Sequence, residues 1–136
     1  MSSPATPADI ATLIESACRQ RDAAYAIHSG FAVGAALETV DGQLFTGCNV
    51  ENDSFGLSMC AERVAIFKAV SEGCREFRRM VVVATPLASP CGACRQVMSQ
   101  FFGDGTEIIS VDAGNAESHK FWTMNELLPD RFRFER

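Results

Sequence analysis

The chain has 136 residues, 47% of them hydrophobic and 21% charged, which is enough to build one domain with a real core. Its net charge is −5, from 12 Lys and Arg against 17 Asp and Glu, and its longest basic run is Arg78-Arg79, so a phosphate-tracking surface and a nucleic-acid partner are excluded as first readings. The opening "MSSPATPADI" has neither a basic n-region nor an apolar h-region, and no apolar run approaches the roughly 20 residues of a membrane span; the chain reads as soluble and cytoplasmic, with no membrane partner.

In chain order, Thr6 and Pro7 have the form of an N-cap and first helical residue. Ile10, Leu13, Ile14 and Ala17 then recur at helical spacing, which predicts a helix from Pro7 to Tyr25. "FAVGAAL", Phe31 to Leu37, reads as a buried strand and "QLFTGCN" from Gln43 as a second, with Asp41-Gly42 between them as a hairpin signal. A helix starts near Cys60. "MVVVA", Met80 to Ala84, is a β-branched run suited to a strand covered on both faces. A helix from Cys91 to Phe102, the strand "EIISV" from Glu107 and a short helix from Met124 to Leu128 follow. No linker, repeat or low-complexity segment divides the chain, so residues 1–136 read as one α/β domain. Its first hairpin is antiparallel and its later strands are parallel.

Six cysteines without an export signal are thiols or metal ligands before they are disulfides. Cys60 opens one helix, and Cys91 and Cys94 in "SPCGACRQ" open another; a helix N-terminus favours the thiolate, the form that binds metal. Three sulfurs could converge on one Zn²⁺ at about 2.3 Å and leave the fourth tetrahedral position to water, as in a catalytic site. Glu62, on the first turn beside Cys60, is then placed to take and deliver protons. Arg63 can offset the excess negative charge that three thiolates leave on a divalent ion.

Each piece has a plainer alternative. An isolated "CGAC" could be a redox dithiol or half of a structural zinc site. A structural site needs a fourth ligand, from Cys74, Cys48, His28 or His119. Cys74 closes the helix that Cys60 begins, about 20 Å away along a continuous helix, and cannot reach the same ion. Cys18 and Cys48 read as small buried hydrophobes, and the two histidines as structural or exposed. Cys-x-Glu together with Pro-Cys-x-x-Cys, both at helix starts, favours the catalytic arrangement.

"CAER" and "PCGACRQ" match the zinc deaminase signature in its all-cysteine form. With "FAVGAAL", "GCNVENDSFGLSMCAERVAIFKAVSEG" and "ELLPDRF" in matching order, the chain resembles the small homotetrameric cytidine deaminases of pyrimidine salvage from about Ala8 to Phe132. The resemblance implies a three-layer α/β/α sandwich around a five-stranded mixed sheet, one zinc per subunit, and hydrolysis of cytidine and 2′-deoxycytidine to uridine and 2′-deoxyuridine with release of ammonia. It implies that Cys60, Cys91 and Cys94 hold the zinc and that Glu62 shuttles protons to the ring N3 and the leaving amino group. Backbone groups near Ala61 and Ser89 would hold the base edge, and Phe31 would pack on its face. Asn49 and Glu51 would share the ribose 3′-hydroxyl, one donating and one accepting. Arg63 would hydrogen-bond the ligand sulfurs, and Arg95 would either do the same or pair on the surface. Phe132 would complete the pocket of a neighbouring subunit.

The chain departs from the family pattern at Asp53, Phe55 and His28 and in the connection "ATPLASP", Ala84 to Pro90, which is shorter than usual. Asp53 and Phe55 stand in "ENDSFG" where the family commonly has "ENASYG", and His28 takes the place of a frequent tyrosine. These bear on recognition of the nucleoside and keep open a modified cytosine nucleoside such as blasticidin S as the alternative substrate. A structural zinc module is the alternative of a different class.

Overall fold

The computed structural model describes residues 7–135. Helix α1 (Pro7–Asp22) is followed by strands β1 (Gly34–Thr39) and β2 (Leu44–Cys48), helix α2 (Ala61–Ser71), strand β3 (Phe77–Ala84), helix α3 (Gly92–Phe101), strands β4 (Glu107–Asp112) and β5 (Asn115–Trp122), and a last turn of helix, α4 (Met124–Leu127). The five strands form one mixed sheet in the order β2-β1-β3-β4-β5, with β3 and β4 parallel and the other neighbours antiparallel.

Side chains alternate across the sheet and divide the core in two. Ala36, Val81, Val83, Ile109 and Val111 pack against Ile10, Leu13 and Ala17 of α1, while Ala35, Leu37, Met80, Val82 and Ile108 pack against Ala65, Ile66, Met98 and Met124 of α2, α3 and α4. The result is a three-layer α/β/α sandwich with α1 alone on one side. Covered on both faces, β3 is apolar along most of its length.

Two glycines set how closely the helices approach. A Cβ on Gly34 would lie 1.9 Å from the Ala17 carbonyl oxygen of α1, and one on Gly47 would lie 2.6 Å from the Ala61 carbonyl oxygen of α2. The two helices therefore lie directly on the backbones of β1 and β2, from opposite faces.

The departures from the predicted elements have local causes. The Thr6 cap lies outside the described residues. Helix α1 stops at Asp22 rather than Tyr25, because Tyr25 donates its N–H to Asn49 and accepts from the Glu51 N–H at 2.9 Å each, which draws it into strand-like pairing. β1 begins at Gly34 rather than Phe31, because the side chain of Asn49 takes the Phe31 carbonyl and the Val33 N–H. β3 begins three residues before Met80. β5 has no counterpart among the elements read from the pattern: its first four residues, Asn115 to Ser118, are exposed, so this edge strand lacks a regular apolar alternation. At α4, Thr123 and Glu126 form a complete capping box. No helix among the described residues is long and apolar enough to cross a membrane.

Candidate metal centre and active site

The site grows from the extended segment Asn49–Glu51 that leaves β2. Its backbone pairs with Tyr25 on one side. On the other, Val50 and Met59 exchange N–H···O bonds of 2.9 Å. That second pairing delivers the chain to Cys60 in an extended conformation, the N-cap of α2. Cys91 is likewise the N-cap of α3 and Cys94 lies three residues on, two positions whose side chains face each other across the first turn, as in a capping box.

The three sulfurs meet. Cys60 Sγ lies 3.8 Å from Cys91 Sγ, Cys91 Sγ lies 3.5 Å from Cys94 Sγ, and all three fall within 4.8 Å of one another. Tetrahedral ligands at a Zn–S distance of about 2.3 Å stand about 3.8 Å apart, so the cluster has the spacing of three corners around one ion. Three cysteines at two helix N-termini offer a soft donor set that, once deprotonated by the metal, suits zinc. Cys18, Cys48 and Cys74 are free thiols outside this cluster.

Arg63 Nη2 donates to Cys60 Sγ at 3.4 Å. A hydrogen bond from Cys94, and then the Arg63 guanidinium, hold the Cys60 thiol well below its ordinary range; Cys94, which gives that bond and is buried, is pushed up. Glu62 is 6% exposed, and its burial raises the carboxyl to about 7. A group balanced near neutrality can accept and return a proton with little driving force lost either way.

Beside the cluster lies a cavity of about 240 Å³. Phe31, Asn49, Glu51, Cys60, Ala61, Glu62, Ser89 and Cys91 all line it, so eight residues expected at the site from sequence come together here. Cys94 sits behind this wall, fully buried. Phe132 is 69% exposed and takes no part in the cavity of its own chain.

Two of the expected side chains make bonds within the chain that the local pattern did not indicate. Asn49 is tied into its own chain: Oδ1 accepts the Val33 N–H at 2.9 Å, and one N–H of Nδ2 donates to the Phe31 carbonyl at 2.9 Å, while Nδ2 lies 3.5 Å from Glu51 Oε2. Among the described residues Arg95 bonds neither the sulfurs nor a carboxylate. It donates to the Pro90 and Leu127 carbonyls at 2.7 Å each and to the Ser89 hydroxyl, bracing the loop before α3 against the end of α4. Ser110, buried on β4, holds the same loop through the Ala88 carbonyl at 2.7 Å. The residues that sequence reasoning passed over are Ser29 and the apolar lining of Val33, Val82, Ala84 and Ala88. Its place two residues before Phe31 in "HSGF" was the available signal for Ser29. The others become visible only once β1 and β3 are paired.

His28 joins Asp53 and Phe55, some 25 residues further along the chain, in one cluster beside the polar end of the cavity. His28 Nε2 lies 3.1 Å from Asp53 Oδ1, and the His28 ring meets Phe55 edge-on with centroids 4.9 Å apart.

Comparison with known proteins agrees with this architecture. Residues 8–109 match the family model for the cytidine and deoxycytidylate deaminase zinc-binding region. The chain is 42% identical over 130 residues to a cytidine deaminase of Sporosarcina psychrophila, covering 93% of each chain. It is 44% identical over 126 residues to one of Halalkalibacterium halodurans, covering 90% of this chain and 93% of that one. The crystal structure of cytidine deaminase from Burkholderia pseudomallei superposes with a TM-score of 0.83 at 45% identity, over 90% of this chain and 98% of that chain. With three cysteines spaced for one ion, a buried glutamate beside them and this likeness along nearly its whole length, the chain belongs to the cytidine deaminase family of zinc-binding enzymes.

Proposed function

We propose that the protein hydrolyses cytidine and 2′-deoxycytidine to uridine and 2′-deoxyuridine, taking up one water and releasing one ammonia. One observation carries the reading: Glu62, buried and raised to about 7, lines the same cavity as Cys60 and Cys91 of the three-sulfur cluster. Cys60, Cys91 and Cys94 would hold one zinc ion, which when bound lowers the pKa of water enough to make it a nucleophile at neutral pH. Glu62 would take a proton from the attacking water and give it to the ring N3 as the water oxygen adds to C4. It then takes the proton of the hydroxyl added at C4 and gives it to the amino nitrogen, which leaves as ammonia. Arg63 supports the step by steadying the Cys60 thiolate.

Phe31, Val33, Val82 and Ala84 supply apolar surface for the base, with Ala61 and Ser89 at its polar edge. One N–H of Asn49 Nδ2 goes to the Phe31 carbonyl and Oδ1 accepts from Val33, so Asn49 shapes the segment that carries Phe31 and keeps a second N–H, beside Glu51, for the 3′-hydroxyl. Phe132, Phe134, Phe55 and Leu57 are each about 70% exposed, which supports burial against further copies in a homotetramer. Phe132 would there enter a neighbour's pocket, and a stable monomer by light scattering would refute this assembly.

The deciding experiment measures ammonia release from cytidine, 2′-deoxycytidine, 5-methylcytidine and blasticidin S with zinc-quantified protein beside Glu62→Gln. The natural nucleosides are expected to turn over, and the variant to keep its zinc while losing about 10²–10⁴-fold in rate. An inactive wild type with full zinc would refute the natural substrates. The His28–Asp53–Phe55 cluster favours a modified cytosine nucleoside as the second reading, and turnover of blasticidin S alone would establish it.

A further inference from the structure

The polar end of the cavity is built by the turn 28–31 against the segment 49–51. Glu51 Oε1 accepts the backbone N–H of His28 at 2.8 Å and of Ser29 at 3.0 Å, and Oε2 accepts the Ser29 hydroxyl at 2.5 Å. The same hydroxyl oxygen accepts the Phe31 N–H at 3.0 Å. Ser29 therefore stands in line between the Glu51 carboxylate and the backbone of Phe31, and all three residues face the cavity.

A carboxylate has about four acceptor positions. His28 and Ser29 fill three of them; the Asn49 amide, at 3.5 Å, is too distant to fill the fourth well. One position on Oε2 remains for a ligand donor.

We propose that Ser29 is a positioning residue for the sugar end of the substrate: its hydroxyl fixes which Glu51 oxygen stays open, and through the Phe31 N–H it ties the ring beside the base to that same carboxylate. A hydroxyl that binds Glu51 thereby also seats Phe31. The ligand class is a cytosine nucleoside with a free sugar hydroxyl, so the proposal rests on the function argued above.

Three zinc-quantified proteins test it: wild type, Ser29→Ala and Ser29→Thr. Ser29→Ala is expected to raise KM for cytidine about tenfold with kcat held within about threefold, the loss of one hydrogen bond to a charged group; Ser29→Thr, which keeps the hydroxyl, should restore it. For 2′,3′-dideoxycytidine, which has no hydroxyl at that end, the same change should raise KM less than about threefold. Independently of turnover, the Phe31 amide should exchange faster in Ser29→Ala than in wild type. Wild-type KM in Ser29→Ala, an equal rise for both nucleosides, or unchanged Phe31 exchange would each overturn the proposal. If wild-type protein turned over neither nucleoside, the proposed function would fall, and Phe31 exchange would still decide whether Ser29 ties the turn to Glu51.

Discussion

Gly47 is the position where a single methyl group should disarm the metal centre without touching a ligand. A Cβ there would lie 2.6 Å from the Ala61 carbonyl oxygen and 2.7 Å from the Ala65 nitrogen, against the 3.4 Å of an ordinary contact. In Gly47→Ala the start of α2 must therefore retreat by about 0.8 Å, and overpacking of this kind costs about 1–3 kcal/mol. Cys60 and Glu62 ride on that end of the helix, whereas Cys91 and Cys94 belong to α3 and stay in place. Metal sites hold their ligand distances to about 0.2 Å, so the shift is several times what the cluster tolerates. Gly34→Ala is the control: its Cβ would strike the Ala17 carbonyl oxygen at 1.9 Å on the opposite face, a worse clash against the helix that carries no ligand. Thermal melting combined with competition for zinc by a chelator separates the two. Both variants should melt lower, Gly34→Ala by more, but Gly47→Ala alone should lose zinc affinity, by about tenfold or greater. Wild-type zinc affinity in a destabilised Gly47→Ala would refute the claim that this glycine sets the position of Cys60.

Arg95→Ala should leave the Pro90 and Leu127 carbonyls unpaired and lower stability by about 1–3 kcal/mol in a denaturant melt, with kcat/KM reduced through the loosened Ser89 loop. Arg95→Lys should recover only part of this, since an ammonium cannot reproduce the fork that spans three acceptors. In zinc-free protein, Cys60 should be alkylated with a midpoint below the ordinary thiol value of 9.0, because the hydrogen bond from Cys94 and then the Arg63 guanidinium favour its thiolate. Arg63→Ala should move that midpoint up, and an unmoved midpoint would show that Arg63 has no such role. The Glu51 carboxyl is held below its ordinary 4.5, first by the Ser29 hydroxyl and then by the Ser29 and His28 N–H groups. A depressed acid contributes its stabilisation above the unfolded value and loses it as pH falls through the folded one. Amide protection at His28 and Ser29, which donate to this carboxylate, should accordingly hold down to pH 4.5 and be lost only below it; loss at a higher pH would contradict the assignment.

The departures from the family pattern acquire a meaning in three dimensions. His28, Asp53 and Phe55 read in sequence as three separate substitutions, yet Asp53 and Phe55 both touch His28, next to the Ser29 that Glu51 holds. Substitutions that join in one contact are expected to act together, so a double-mutant cycle at His28 and Asp53 should show coupling where single changes show little.

The sequence by itself picked out the residues that meet at the metal cluster and most of the scaffold. Cys60, Glu62, Arg63, Cys91 and Cys94 sit in two short runs where helix-start signals and ligand spacing are local, and β3 declares itself through an unbroken apolar run. Tertiary structure decided what depends on pairing between distant segments: the stop of α1 at Asp22, set by Tyr25 joining the 49–51 segment; the edge strand β5, whose polar start follows from solvent on its open side; and the internal commitments of Asn49 and Arg95. The same residue types at the same spacing could have met a ligand or a partner on the surface. Which groups they bond depends on the loops that folding brings within about 3 Å, and that distance is not written in any local pattern.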